Sequence, residues 1–248
     1  MKKVYAIAAV ALLLGLSSCL STVQPIFTEK DLAFDPRLIG KWGYIAKGEV
    51  DSISTQTTKT LGRRSSIKTV DEGVMIKGTK SVNVTYKGYV EITKATAQDI
   101  ANEPSLQKLL GKMYLIRNTD ANDVTGSLYY GFLVKLGQKY YMDYYPAETV
   151  AMQHYNDFYK SHYVKMHTAY SIRFLKNDEF ELKQFDEKFM RELVENKKIR
   201  IRHEIRDDGT FVVTASTEEL QQYIMKYSDV PEAYYSDNTS IYTRLITH

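Results

Sequence analysis

Tyr129-Tyr130-Gly131-Phe132-Leu133-Val134-Lys135-Leu136-Gly137-Gln138-Lys139-Tyr140-Tyr141-Met142-Asp143-Tyr144-Tyr145 decides the fold. Two runs rich in aromatic and apolar residues flank a Gly-Gln pair, the composition of two antiparallel strands joined by a two-residue turn. Parity along the second run puts Tyr140, Met142 and Tyr144 on one side of a sheet and Tyr141, Asp143 and Tyr145 on the other. One of those faces is core. The same pattern recurs downstream, where Tyr170 to Leu175 and Phe180 to Phe185 meet at Asn177-Asp178, and Arg200 to Arg206 and Thr210 to Ala215 meet at Asp207-Asp208-Gly209. Upstream, Leu38 to Ile45 reads as a first strand, and Val82, Val84 and Tyr86 alternate with Asn83, Thr85 and Lys87 in a later one. Regular short strands with Asp, Asn and Gly turns specify an antiparallel sheet or barrel rather than parallel βαβ units. Composition agrees: 20 Tyr against 9 Phe and 1 Trp suit a half-buried sheet surface, and 44% hydrophobic content over 248 residues supports one sizeable core.

Four helices punctuate the strands. Ala97 to Gly111 is one, broken or restarted at Pro104, and Ala147 to Tyr159 follows Pro146. Asp186 caps a third, whose apolar stripe is Phe189, Met190, Leu193 and Val194. Ser216 with Glu219 three residues on forms a capping box for the fourth, turning Leu220, Tyr223 and Ile224 to the core. The expectation is a mainly-β, antiparallel barrel carrying about four short helices, with an α+β arrangement as the alternative.

Gly40-Lys41-Trp42 opens the first strand, and Arg244, in Ile241-Tyr242-Thr243-Arg244-Leu245, falls in the last. A cation stacked on that indole contributes about 0.5 to 2 kcal/mol. The G-x-W tripeptide resembles the first strand of lipocalin-like barrels, where the tryptophan closes the base and an arginine of the last strand packs on it. His162 to His167, the Phe180 to Leu193 stretch and Thr214 to Gln221 extend the likeness to uncharacterised lipocalin-like lipoproteins of Gram-negative bacteria. That resemblance covers most of the mature chain. It implies a lipid-anchored barrel and brings no assigned activity with it.

The amino-terminal leader points the same way. Met1-Lys2-Lys3 is cationic, and the apolar run Val4 to Leu16 falls short of the ~20 residues a spanning helix needs, so it reads as an export signal. Leu16-Ser17-Ser18-Cys19 follows it as a lipobox. The reading is a signal peptide over 1–18, a lipidated tether over 19–35 and a barrel domain over 36–248. Cys19 would carry diacylglycerol on its thiol and a palmitate-type acyl chain on its new amine. It is the sole cysteine, so no internal disulfide competes for it. Leu20-Ser21-Thr22-Val23 includes no aspartate, which by likeness to known lipoproteins favours the outer membrane. The lack of an acidic cluster favours its periplasmic face over the cell surface.

With 33 Lys and Arg against 30 Asp and Glu, the chain lacks the charge excess of a nucleic-acid binder. Lys197, Lys198, Arg200, Arg202 and Arg206 alternate with Ile199, Ile201 and Ile205 as the wet face of a strand. His203 shares the isoleucine face and points inward, as a core histidine or a ligand-orienting group. His162 and His167, five apart, fall on opposite faces of a strand and cannot chelate one metal ion there. Ser65-Ser66-Ile67-Lys68 spells S-x-x-K without its S-D-N and K-T-G companions. Asn118, Asp120, Asn122 and Asp123 read as a polar turn. No motif implies a cofactor or names an acid, base and nucleophile set. The expected function is therefore binding without catalysis, of a small apolar or amphipathic ligand held in the barrel. Trp42, Arg244, His203, Tyr140 and Tyr144 are the candidate contacts. The alternative is an interaction or adaptor protein, in which a tyrosine-bearing face around Asp143 docks an envelope protein or glycan.

Overall fold

The computed structural model describes residues 20–46, 67–70, 73–76, 81–82, 88–120, 127–147, 164–175 and 178–245. Eight strands close into an antiparallel barrel: β1 (Gly40–Ala46), β2 (Gly88–Lys94), β3 (Met113–Asp120), β4 (Ser127–Leu136), β5 (Lys139–Pro146), β6 (His167–Phe174), β7 (Glu179–Phe185) and β8 (Tyr234–Arg244). Each pairs with the next in sequence, and β8 returns to β1 with Arg244 opposite Trp42, Tyr242 opposite Tyr44 and Ser240 opposite Ala46. Full closure removes the unpaired edges that an open sheet would expose. The turn chemistry works as expected at two hairpins. Gly137 takes φ +60° between β4 and β5, and Asp178 takes φ +56° before β7; short polar residues and glycine tolerate that left-handed geometry.

Side chains on these strands divide into two cores. Inward positions, among them Trp42, Val90, Ile92, Tyr114, Ile116, Leu133, Met142, Ile172, Phe180 and Leu182, fill the barrel. The outward positions of β4 and much of β5 are also apolar, and Tyr130, Phe132, Val134, Tyr141 and, from β6, Ala169 join a second core with Phe185, Met190, Leu193, Leu220, Tyr223 and Ile224. Two α-helices supply much of that outer cover. Asp186 caps α1 (Glu187–Glu195) by accepting from Lys188 N–H at 2.8 Å, and Met190 and Leu193 are its buried stripe. Ser216 and Glu219 close the expected capping box on α2 (Thr217–Tyr227), with Ser216 N–H donating to Glu219 Oε2 at 2.8 Å and Glu219 N–H to Ser216 Oγ at 3.3 Å. Among the described residues no helix is long and apolar enough to cross a membrane.

Three expectations change. Residues 20–35 are not a tether: Leu20, Ile26, Phe27 and Leu32 are buried in the outer core. Ser21 and Thr22 form a strand paired with Thr168 and His167 on one side and, through Thr22, with Val213 on the other. Each such side chain taken out of water contributes about 1.5 to 3 kcal/mol, ample reason for the segment to fold down. Ala97–Gly111 is not one α-helix but turns followed by a 3-10 segment, Pro104–Lys112, with the proline in its first turn. The third hairpin forms only over His203–Ile205 and Phe211–Val213, outside the barrel. The helix expected from Ala147, along with Ser65, His162 and Asn122-Asp123, falls at or beyond the edge of the described residues. Phe27 packs on Phe132 with ring centroids 4.7 Å apart. Phe27→Ala should therefore cost about 3 to 5 kcal/mol in urea unfolding, whereas Lys30→Ala, at an exposed position on the same segment, should leave the midpoint unchanged.

Candidate functional site

The barrel interior is closed at one end by the residues the sequence singled out. Arg244 lays its guanidinium 4.2 Å above the Trp42 ring. Its Nη1 donates to the Ile39 carbonyl at 2.7 Å, Nη2 to the Arg37 carbonyl at 2.6 Å and Nε to Asp178 Oδ1 at 3.2 Å. Trp42, only 2% exposed, donates its Nε1–H to the Leu38 carbonyl at 2.9 Å. These carbonyls are presented by the 3-10 turn Pro36–Leu38, which Asp35 caps by accepting from Arg37 N–H and which drives Leu38 into the barrel. Gly40 makes the contact possible. Its φ of +145° suits glycine alone, and a Cβ there would lie 2.4 Å from Arg244 Nη1. Beside this seal, Phe34 stacks on Tyr114 at 4.9 Å, and the Tyr114 hydroxyl accepts from Asp35 N–H at 2.6 Å. Burial pushes the Tyr114 phenol up to about 12, so it stays neutral at physiological pH.

Beyond the seal, the other half of the barrel holds a cavity of about 180 Å³. Its lining is Tyr44, Val90, Ile116, Asn118, Tyr129, Tyr144, Tyr170, Leu182, Ser240 and Tyr242. Tyr129, Tyr144 and Tyr170 form one wall through edge-to-face contacts at 5.8 and 5.0 Å. Tyr44 and Tyr242 meet at 5.4 Å, and Tyr242 stacks on Phe180, which in turn meets Trp42 edge-on, so aromatic packing runs unbroken from base to cavity. Burial, reinforced by Tyr242, Tyr170 and Tyr129, pushes the Tyr144 phenol well above its ordinary value. None of the described lining residues carries a charge. Asn118 Oδ1 is buried with no hydrogen-bond partner, although a buried acceptor of this kind ordinarily has one.

The five sequence-expected contacts therefore separate. Tyr144 lines the cavity, whereas Tyr140 lies toward the base, edge-on to Phe174 at 5.9 Å. Trp42 and Arg244 close the base and line a crevice there of about 220 Å³, apart from the cavity. His203 is outside the barrel altogether. The strand expected around it is only three residues long, so the isoleucine face breaks up: Ile201 is buried, Ile205 is 56% exposed, and His203 stacks on Phe211 at 4.8 Å with Nδ1 2.9 Å from the Ile201 carbonyl. It borders a surface groove of about 420 Å³ whose Arg202 and Glu219 pair with each other. Cys19 lies outside the described residues. Asn118 is on a strand, not in the turn its composition suggested. Its inward aim follows from the parity of Tyr114 and Ile116, a register that counting outward from Trp42 would have exposed.

The tyrosine face imagined as a docking surface is covered. Asp143, fully buried, accepts the Ile26 N–H at 3.0 Å through Oδ2 and lies 2.7 Å from His167 Nδ1 through Oδ1. Tyr145 stacks on that imidazole at 4.6 Å. The physical reason is that other elements cover the outer face of β5: the amino-terminal segment meets Asp143 through Ile26 and the His167 ring beneath Tyr145 through Phe27, and Phe185 packs on Tyr141.

No protein-family model, curated protein or solved structure matches the chain, so geometry and chemistry carry the functional argument. For the base, Gly40→Ala should lower stability by about 1 to 3 kcal/mol through backbone strain, before the clash with Arg244 is counted. Arg244→Lys, which keeps the charge but loses the planar stack and the paired carbonyl contacts, should also shift the urea midpoint downward.

Proposed function

We propose that this protein is a lipid-anchored envelope protein that binds a small, largely apolar ligand inside its barrel. One observation carries the binding reading: a cavity walled by aromatic rings, with no charged residue among the described lining residues. An eight-stranded barrel is wide enough to hold side chains or one small ligand, and here side chains fill the base while the other half holds a cavity. The volume sets the scale of the guest. An apolar protein cavity of about 150 Å³ holds benzene, so about 180 Å³ fits one ring with a small substituent. The lipobox Leu16-Ser17-Ser18-Cys19 supports the anchor. Because Leu20 is already packed in the fold, an acylated Cys19 would hold the barrel directly against the leaflet with no spacer.

Toluene tests the binding reading. Saturation-transfer NMR on the purified full chain should show saturable binding, and Ser240→Trp, which fills the cavity with an indole, should abolish it. An undiminished signal in that variant would place the binding elsewhere and contradict the reading. For the anchor, Cys19→Ala should release the protein from the membrane fraction into the soluble one; unchanged membrane association would contradict lipidation at Cys19.

A further inference from the structure

We infer that the open edge of the outer sheet takes an extended acidic segment of a partner protein as an added strand. The inference is independent of the barrel cavity and of the anchor. The barrel closes on itself, but the strand His203–Ile205 ends the sheet that runs outward from β6 through Ser21–Thr22 and Phe211–Val213. Among the described residues no strand pairs with its far side. Arg206 N–H donates to the Thr210 carbonyl at 2.9 Å and Thr214 N–H to the Arg202 carbonyl at 3.0 Å, so the even-numbered residues face the neighbouring strand. Antiparallel alternation then turns the main-chain groups of His203 and Ile205 outward, where an added strand meets them. Ile205 is one of the few large apolar side chains left exposed.

The run 199–202 leads into that strand between two hollows of about 420 and 230 Å³. Ile199 and Ile201 line both, joined by Val194 in the larger and Tyr223 in the smaller. Around these apolar residues stand five cations, Lys197, Lys198, Arg200, Arg202 and Lys226, against one acid, Glu219, which Arg202 already holds. Among the described residues the other four cations enter no ion pair. That excess chooses the occupant. A second copy would set like charges against like, and a flat leaflet would touch the cationic rim without reaching the main chain of the edge. An extended segment that alternates acidic with apolar side chains meets the cations, the isoleucines and the outward main-chain groups together.

Fluorescence anisotropy of a labelled octapeptide alternating glutamate with valine, titrated with the purified full chain, tests this. The peptide should bind saturably, and its lysine–valine counterpart about tenfold more weakly, the worth of a few exposed charge contacts. N-methylation of alternate residues, made in both phases, should abolish binding in one phase alone, because only every second N–H of the peptide meets the edge. Lys198→Glu combined with Arg200→Glu should reverse the preference between the two peptides. Ile205→Pro, which removes an outward N–H and no bond of the hairpin, should weaken the glutamate–valine peptide about tenfold. No binding of that peptide, equal binding of both peptides, or tolerance of methylation in both phases would overturn the inference. So would displacement by soluble dihexanoyl-phosphatidylglycerol, which would make the patch a lipid-headgroup site. A peptide-driven shift from dimer to monomer in sedimentation would give the edge to a second copy and overturn it as well. The peptide comparisons use the unmodified protein and decide the matter even where a variant fails to fold.

Discussion

Arg244 on Trp42 joins the last barrel strand to the first at the point where the chain must close on itself. The cation–π contact at 4.2 Å is one of four ties made by a single guanidinium, the others reaching the Ile39 and Arg37 carbonyls and Asp178. Each is worth on the order of 1 kcal/mol. Together they fix the register of β8 against β1, and register decides which side chains face inward along both strands. With Arg244 opposite Trp42, parity sends Tyr242 and Ser240 inward on β8 and Tyr44 inward on β1, which supplies three of the cavity's lining residues. A slip of one residue would turn those side chains out to solvent.

The outer core follows from a different constraint. Strands β4 and β5 present apolar or aromatic residues on both faces, so their exterior cannot be left wet. The amino-terminal segment, α1, α2 and the His203–Val213 hairpin answer that need on one side of the barrel. Asp143 and His167 form one polar pair within the covered face. Their mutual contact and the Ile26 N–H satisfy groups that burial would otherwise penalise, and they tie residue 26 to a strand more than a hundred positions away. Attachment through Cys19 would consequently transmit directly to the barrel wall.

Much of this was legible in the sequence where a local rule governs. The β4–β5 hairpin shows in its turn residues and in the parity of Tyr140 to Tyr145, and the two outer-core helices in Asp186 and in the Ser216–Glu219 box; the base at Gly40, Trp42 and Arg244 was legible through the resemblance of its G-x-W to lipocalin-like barrels. What escaped has no period to read. Leu20, Ile26, Phe27 and Leu32 are spaced irregularly because they fill gaps on another element's surface, and so the stretch resembled a tether. The available signal was indirect: the unbroken run Tyr130-Gly131-Phe132-Leu133-Val134 lacks the alternation of a strand wet on one side and implies cover on both. Asn118 was masked by the Asp- and Asn-rich residues after it, and His203 by an isoleucine alternation that outlasts its three-residue strand.

The functional account therefore rests on a barrel sealed at Trp42 and hollow beyond it. Trp42 is the only tryptophan in the chain, so its fluorescence reports on the seal alone. The account predicts blue-shifted emission barely quenched by acrylamide in the native protein, moving toward that of solvated indole in Arg244→Ala. Emission of a solvated indole, freely quenched in the unmodified native protein, would contradict it.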